Sequence, residues 1–396
     1  MLVGSVAKGT NLKDPDIDIF IQFSNRYEKK HVEKWGLEIA HSVIKNGYES
    51  YAEHPYLRGE VQGYRVDIVP CFRVENPSSR ISSVDRTPFH TEFVKKHLSS
   101  EKRDDVRLLK AFMKGIGVYG AEAKVMGFSG YLCELLVIKY GSFLDVLHHA
   151  SKWKRSVYLH LGNGGAKFKA PLVFIDPVDS GRNVASAVSE ESKSMFILAS
   201  KEFLKNPKIE FFFPNPTRAL SKDNILSKLN ERGTYIYAFI FRNPNVIDDV
   251  LYPQIRRTIK VFINILRDFL PVSSYYYVNE ENVVILVELE RDTLPEVVRH
   301  EGPTVWHANA DNFLEKWKNV AIRGPYISGS RLYVDKRRKN VTVEEVIRKN
   351  IKNYKLGKLF EKQKNDIHLI KLEEAIDDLD LNKLSEFFIY RFPWER

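Results

Sequence analysis

Three aspartates carry the chemistry that residue type and spacing allow in this chain. In Asp16-Ile17-Asp18-Ile19-Phe20-Ile21, the alternation of a strand puts Asp16 and Asp18 on one face and Ile17, Ile19 and Ile21 on the other. Carboxylates packed that closely repel each other and resist desolvation, so burying both makes physical sense chiefly with divalent cations between them. Hard oxygen ligands point to magnesium. In Tyr64-Arg65-Val66-Asp67-Ile68-Val69-Pro70, Val66 and Ile68 share a face and Asp67 points the other way. Taken alone, Asp67 reads better as a solvated strand-end residue. Beside the first pair it becomes the third acid of a metal-binding set on two apolar strands.

Just upstream, Gly4-Ser5 opens a small-residue loop through Ala7 and Gly9. Its backbone N–H groups and the Ser5 hydroxyl suit phosphate oxygens, with Lys8 supplying charge. Arg103, Arg107, Lys110 and Lys114 recur at helical spacing on one face, opposite Val106, Leu109 and Met113. Such a stripe is ordinarily a solvated face. Next to an expected triphosphate it reads as a phosphate-facing surface.

Other motifs fail on context. Gly115-Ile116-Gly117-Val118-Tyr119-Gly120 has the glycine spacing of a dinucleotide fingerprint, yet a helix precedes it where a strand is required, so it is a turn between helices. Gly4 and Gly9 are spaced like P-loop glycines, but Lys8 stands on the wrong side of the second one. His148, His149 and His160 lack the acidic and cysteine company of a zinc site.

A chain of 396 residues exceeds one ordinary core and predicts two or three domains. The formal charge of +10 favours a polyanionic partner. Two cysteines, Cys71 and Cys133, exclude a disulfide framework and fit a reducing cytosol. No apolar run approaches the ~20 residues of a membrane span, so a soluble cytoplasmic protein is expected.

The elements that must position these residues follow. Residues 1–97 read as mixed α/β, with a helix over Tyr27 to Asn46. Helices are predicted from Glu101, over Tyr131 to Tyr140, and over Phe143 to Lys152, the last opened by the capping pattern Ser142-x-x-Asp145. Leu172 to Ile175 is a short strand, and Asp176 to Asn183 turns the chain into a helix ending near Asn206. Asn206-Pro207 and Pro214-Asn215-Pro216 mark a linker. Thr234 to Phe241, Asp248 to Phe269, Ser273 to Val278 and Asn282 to Leu289 give a β-α-β-β order, which points to a ferredoxin-like or RNA-recognition-like sheet. A short helix around Asn312 to Trp317 and a hairpin about Ser328-Gly329-Ser330 come next. The hairpin ends in Lys336-Arg337-Arg338-Lys339 beside Tyr333, equally suited to an RNA backbone or to solvent. Val343 to Tyr390 is expected to be mainly helical.

Gly4-Ser5, a ten-residue spacer, Asp16-Ile17-Asp18 and a later Asp67 together resemble the polymerase-β type nucleotidyltransferase superfamily. Val84-Asp85-Arg86-Thr87-Pro88-Phe89-His90, Val106-Arg107-Leu108-Leu109-Lys110, Gly117 to Glu122, Gly127 to Leu132, Asp176-Pro177-Val178-Asp179 with Arg182-Asn183, and His300-Glu301-Gly302-Pro303 narrow this to a resemblance to the archaeal, class I CCA-adding enzymes. The resemblance implies an α+β multidomain chain. Residues 1–97 would be a polymerase-β-like palm. Residues 98–215 would be a helical central domain like the substrate-binding domain of poly(A) polymerases and oligoadenylate synthetases, and residues 216–396 a ferredoxin-like tRNA-binding body with a tail.

It further implies template-independent addition of C, C and A to the 3′ end of tRNA from CTP and ATP, with two Mg2+ ions. Asp16 and Asp18 would hold the ions, and Asp67 would join one of them beside the primer 3′-hydroxyl. Ser5 and Lys8 would contact the triphosphate, and His90, Lys110 and Tyr119, with Thr87 nearby, the rest of the nucleotide. Arg182, with the tRNA backbone, would read the base edge. The partner would be the acceptor stem and 3′ end of tRNA, and the active form a homodimer.

The chain departs from the family pattern at two positions, with lysine at 8 where arginine is frequent and aspartate at 16 where glutamate is frequent. Lysine cannot make the bidentate phosphate contact of arginine. Family members also carry a helical segment and most of a strand ahead of the Gly-Ser turn, where this sequence has only Met1-Leu2-Val3. A late-assigned start or a truncation is therefore expected, with a weaker sheet beside the site. The alternatives are another template-independent transferase of poly(A)-polymerase type, or an inactive tRNA-binding relative. The third domain and the Arg182 turn speak against the first, and the three retained acids against the second.

Overall fold

The computed structural model describes residues 1–51, 55–162 and 164–396. They form two units, Met1–Pro216 with Arg391–Arg396, and Thr217–Tyr390. The first unit opens with a sheet of β1 (Leu2–Val3), β2 (Ile17–Ser24), β3 (Tyr48–Tyr51), β4 (Pro55–Val61) and β5 (Tyr64–Arg73), in the order β1-β2-β5-β4-β3. Only β2 and β5 pair in parallel, and their register sets Asp18 against Asp67. Alternation then sorts the side chains. Ile17, Ile19, Ile21, Val66 and Ile68 pack with Ala40 and Ile44 on one face, and Phe20, Val69 and Cys71 with Val3 on the other. Asp18 and Asp67 share the second face.

The crossover from β2 toward β5 runs through α2 (Lys29–Val43). A Cβ at Gly36 would stand 2.3 Å from Pro70 Cβ, so the missing side chain lets α2 approach the sheet. Residues 4–8, expected as a loop, are instead a short helix, α1 (Gly4–Lys8), stopped by Gly9 in the left-handed region at φ 68°. Ser5 to Lys8 have no residue that forbids helix. The glycines on either side, Gly4 at φ 70° among them, make the sharp entry and exit.

Helices α3 (Thr87–His97), α4 (Arg103–Gly115), α5 (Gly130–Tyr140), α6 (Phe143–Ala150) and α7 (Glu190–Lys205) surround one apolar core. Fully buried Phe112 lies within ring contact of Phe143, Phe196, Phe203, Phe211 and Phe212 at 5.4–6.4 Å. Ser142 caps α6 by accepting from the Asp145 N–H at 3.1 Å, as its sequence pattern predicts. Beside the expected strand at 172, β7 (Leu172–Phe174), runs a parallel partner, β6 (Val157–Leu159). Three residues are too few to show an alternation in sequence.

In the second unit, α8 (Lys222–Arg232) precedes β8 (Tyr235–Arg242), α9 (Asp248–Ile265), β9 (Pro271–Val278) and β10 (Asn282–Leu289). Their sheet is completed by β14 (His368–Lys371) in the antiparallel order β14-β8-β10-β9, a ferredoxin-like arrangement. β14 falls in a stretch expected to be mainly helical, and four residues again carry too little pattern. A separate sheet, β11-β13-β12, comprises β11 (Val297–Thr304), β12 (Arg323–Ser328) and β13 (Arg331–Arg337), with α10 (Ala310–Trp317) against it. The sequence pattern assigns no element to 297–304, where Gly302-Pro303 interrupts the strand pattern. The register shifts between Glu301 and Thr304, so a bulge absorbs the proline. Arg299 lies 3.8 Å over the Tyr333 ring and Lys336 5.4 Å over Trp317. No helix among the described residues is long and apolar enough to cross a membrane.

Phe112→Ala is expected to cost about 3–5 kcal/mol, the range for removing a fully buried aromatic ring. A urea-unfolding midpoint equal to that of the parent would show that Phe112 is not the centre of this core.

Candidate active site

The carboxylates come first. Asp67 is 7% exposed and is held bidentately by Arg58 on the neighbouring strand, with Nε donating to Oδ1 at 2.7 Å and Nη2 to Oδ2 at 2.6 Å. Asp16 stands one residue ahead of β2. Its Oδ1 lies 2.8 Å from Arg65 Nε as an ion pair whose angle falls short of a hydrogen bond. Asp18, between them, has no ion-pair partner among the described residues, though Lys8 and Arg58 act on it from a distance. Burial first, then the neighbouring charges of Asp67 and Asp16, push its carboxyl from an ordinary 3.8 up to about 6. Gly4 presses on it, since a Cβ there would sit 1.9 Å from Asp18 Oδ2. Any other residue at position 4 would displace this carboxylate.

A buried cation cluster lies next. Lys8 Nζ donates to Glu134 Oε2 at 2.6 Å, and the Thr10 hydroxyl to Oε1 at 2.5 Å. Lys110 Nζ reaches Glu134 Oε1 at 3.2 Å, Thr10 Oγ1 at 3.2 Å and the Thr10 carbonyl at 3.0 Å. Desolvation would raise the pKa of Glu134, but the two ammonium groups and the Thr10 hydroxyl outweigh it and hold it below the ordinary carboxylate range. The Tyr119 hydroxyl and Lys110 Nζ both lie close to Gly130 at the start of α5.

The α4 stripe, expected as a phosphate-facing surface, is turned largely onto the segment that leaves α1. Arg107 donates to the carbonyls of Gly9 at 2.6 Å and Asn11 at 3.3 Å, Lys110 takes Thr10, and only Lys114 is exposed. The segment leaving α1 carries carbonyls that its own turn cannot pair, and the long cations of α4 satisfy them.

The third group surrounds Asp176. His90 Nε2 and Arg182 Nη1 each lie 2.9 Å from its Oδ2, and Tyr131 donates its hydroxyl to Oδ1 at 3.2 Å. Burial lowers the pKa of His90 below its ordinary value, against the pull of Asp176. The Tyr131 ring stacks on His90 at 4.1 Å and lies 5.7 Å beneath Lys8 Nζ. Lys8 thereby links the Asp176 group to the Glu134 cluster, and its charge also acts on Asp18. Ser5 is carried on α1 with Lys8.

Family profiles match three consecutive stretches of the chain. They are described as nucleotidyltransferase domain at residues 1–90, tRNA nucleotidyltransferase, second domain, at 104–213, and CCA-adding enzyme, C-terminal domain, at 232–371. Proteins named CCA-adding enzyme are similar over nearly the whole length. That of Thermoplasma volcanium is 45% identical over 94% of this chain and 84% of its own. That of Picrophilus torridus is 42% identical over 98% and 88%, and that of Methanosarcina barkeri 39% over 99% and 88%. The chain belongs to the CCA-adding enzyme family.

A CCA-adding enzyme is a nucleotidyltransferase, which works with a divalent metal and nucleotide substrates. The acids fit a hard divalent cation in donor chemistry, and the uncompensated charge at Asp18 favours one. Among the described residues, however, no group of three His, Cys, Asp or Glu side chains stands in metal-holding geometry. Arg58 and Arg65 occupy the cationic positions beside the outer two aspartates. Sequence reasoning missed Glu134 and passed over Asp176 as part of a turn. A lone acid within the apolar run Leu132-Cys133-Glu134-Leu135-Leu136 was the available signal for the first.

Two outcomes follow from these charges. Asp18→Asn should stabilise the metal-free protein at pH 8 by about 1–3 kcal/mol, since each unit of raised carboxylate pKa is worth about 1.4 kcal/mol. The folded state binds the Asp18 proton more tightly than the unfolded chain, so the parent loses stability as pH rises from 3.8 to about 6, and the advantage of the variant shrinks below that window. Thermal melts at pH 4.5 and pH 8, without and with Mg2+, decide it. Equal melting of parent and variant at pH 8 would exclude charge crowding. Glu134→Gln leaves two buried ammonium groups without their anion and should cost about 3–5 kcal/mol in urea unfolding, and a loss below ~1 kcal/mol would mean that the lysines re-solvate freely.

Proposed function

We propose that the chain adds C, C and A in turn to the 3′ end of tRNA from CTP and ATP, without a nucleic-acid template, maturing or repairing the acceptor terminus in the cytoplasm. The observation that carries this reading is the register of Asp18 against Asp67 behind the Gly4–Lys8 turn, in a chain of this family. Residues 1–97 act as the palm, 98–215 as the central domain that binds nucleotide, and 216–396 as the tRNA-binding body and tail. The working form is a homodimer.

The primer 3′-oxygen attacks the α-phosphorus of the nucleotide. A new P–O bond forms, the bond to the β-phosphate oxygen breaks, and pyrophosphate leaves. Two Mg2+ ions, held by Asp16, Asp18 and Asp67, would supply charge to the attacking and leaving oxygens when bound. Asp67 stands beside the 3′-hydroxyl and favours loss of its proton. Ser5 and Lys8 meet the triphosphate. Lys8 suits this because its ammonium gives one N–H to Glu134 and has two more. Lys110 adds charge from beneath, His90 and Tyr119 bound the nucleotide, and Arg182 reads the base. A poly(A)-polymerase-like activity is not favoured, and an inactive relative would have no need of three acids.

The test is to incubate the protein with a tRNA lacking its terminal trinucleotide, CTP, ATP and Mg2+, and to sequence the product ends. Ends completed to CCA are expected, and long A tails or indifference to CTP would overturn the reading. Asp67→Ala should lower incorporation by on the order of 10²-fold or more while tRNA binding persists.

A further inference from the structure

Asp176 is 1% exposed and lies directly after β7. Its two oxygens meet Arg182 Nη1 at 2.9 Å, His90 Nε2 at 2.9 Å, the Tyr131 hydroxyl at 3.2 Å and the Val178 N–H at 3.1 Å. A carboxylate offers about four acceptor positions, so these donors fill it and none is left for a ligand. Arg182 is the opposite case. One of its N–H groups is taken by Asp176, its side chain is 31% exposed, and it lines an open cavity of about 410 Å³ together with Arg80, Arg86 and Lys169.

The turn that carries Arg182 is itself fixed. The Asp176 N–H donates to the Arg182 carbonyl at 3.0 Å, and the Arg182 N–H to the Asp179 carbonyl at 2.9 Å. Arg80 and Arg86 each lie 3.0 Å from Asp179 Oδ2. Asn183 ties the end of the turn to β7, accepting from the Phe174 N–H at 2.9 Å and donating to the Leu172 carbonyl at 3.1 Å. With the backbone pinned, the remaining freedom of the guanidinium is rotation of its long side chain. Asp176 is the group that removes it.

We infer that Asp176 is a specificity-determining positioning residue, holding the Arg182 guanidinium in one orientation so that its unused N–H edge faces a base acceptor in the nucleotide pocket. This rests on the proposed reading of Arg182. Cytosine and adenine both present an unprotonated ring nitrogen on the pairing edge, where uracil and guanine carry an N–H. A fixed donor pairs with the first two and meets a second donor in the others, leaving both unsatisfied. A guanidinium free to turn finds the carbonyl oxygens of uracil or guanine instead, and the discrimination is lost. His90 is held by the same carboxylate and stacks on Tyr131, so Asp176 holds both rings and the guanidinium at once.

The experiment measures kcat/KM for CTP and for UTP on a tRNA lacking its last three nucleotides, with the full chain. Asp176→Asn puts an amide N–H among donors. Asp176→Glu keeps the charge and moves it by one methylene, and serves if the first variant does not fold. In a folded variant the CTP-to-UTP ratio is expected to fall about tenfold, with KM for tRNA within about twofold of the parent. An unchanged ratio in either folded variant overturns the inference. If Asp176 acts through Arg182, Arg182→Ala combined with Asp176→Asn loses no more selectivity than Arg182→Ala alone, whereas independent losses would assign Asp176 another route. A parent that fails to make CCA ends would instead refute the function, and a parent that makes them with a base choice indifferent to Arg182→Ala would refute the role of Arg182.

Discussion

A crowded carboxylate, Asp18, with no ion-pair partner among the described residues, is the constraint on which the first unit depends. The parallel register of β2 and β5 sets it against Asp67, and the step from Asp16 to Asp18 adds a third negative charge on the same face. Arg58 and Arg65 answer the outer two. Among the described residues no ion pair of that kind answers Asp18, whose carboxyl rises to about 6. The sheet carries this because its other face is apolar and packs on α2, and because Phe20, Val69 and Cys71 pack with Val3 further along the acid-bearing face. Gly4 completes the arrangement, since the turn into α1 passes so close to Asp18 that no side chain fits between them.

The remaining buried charges obey one rule. Glu134 and Asp176 are each 1% exposed or less, and each gathers two cationic or ionisable partners together with neutral donors. A buried carboxylate treated in this way stays ionised, as the lowered pKa values of both show. Each also joins parts of the chain far apart in sequence. Glu134 on α5 holds Lys8 and Thr10 from the N-terminal segment, and Asp176 holds His90 from α3. These acids are the points at which α5 and the turn after β7 set the geometry of residues carried on and just after α1 and on α3.

Much of this was legible in sequence, and the boundary is physical. Alternating aspartates and isoleucines revealed the acid-bearing strands, because period-two patterning is local. The pairing of Asp18 with Asp67 was an inference from two such patterns and needed the fold to set its register. The Gly4–Gly9 stretch looked like a loop because glycine is permissive, yet its glycines bound a helical turn. The α4 stripe was visible as a stripe but its target was not, since the carbonyls of residues 9–11 bear no mark in sequence. Glu134 escaped because one acid in an apolar helix does not announce which cations will reach it. β6 and β14 are too short to show a period at all.

The lysine at position 8 now has a physical reading that its residue type alone could not supply. An ammonium is a point charge with three N–H directions, and Lys8 gives one of them to Glu134 at 2.6 Å. On the proposed reading the other two, which meet no oxygen among the described residues, would reach phosphate without breaking that pair. Lys110 has no such reserve, since its contacts to Glu134 and to both oxygens of Thr10 occupy its three directions. A guanidinium at position 8 would have to turn its planar fork toward either the carboxylate or the phosphate, and a bidentate grip on one would weaken the other. With a buried acid already in place beneath it, the smaller cation would serve both sides at once on the proposed reading. The substitution that looked like a loss of phosphate grip is thus matched to the acid it rests on.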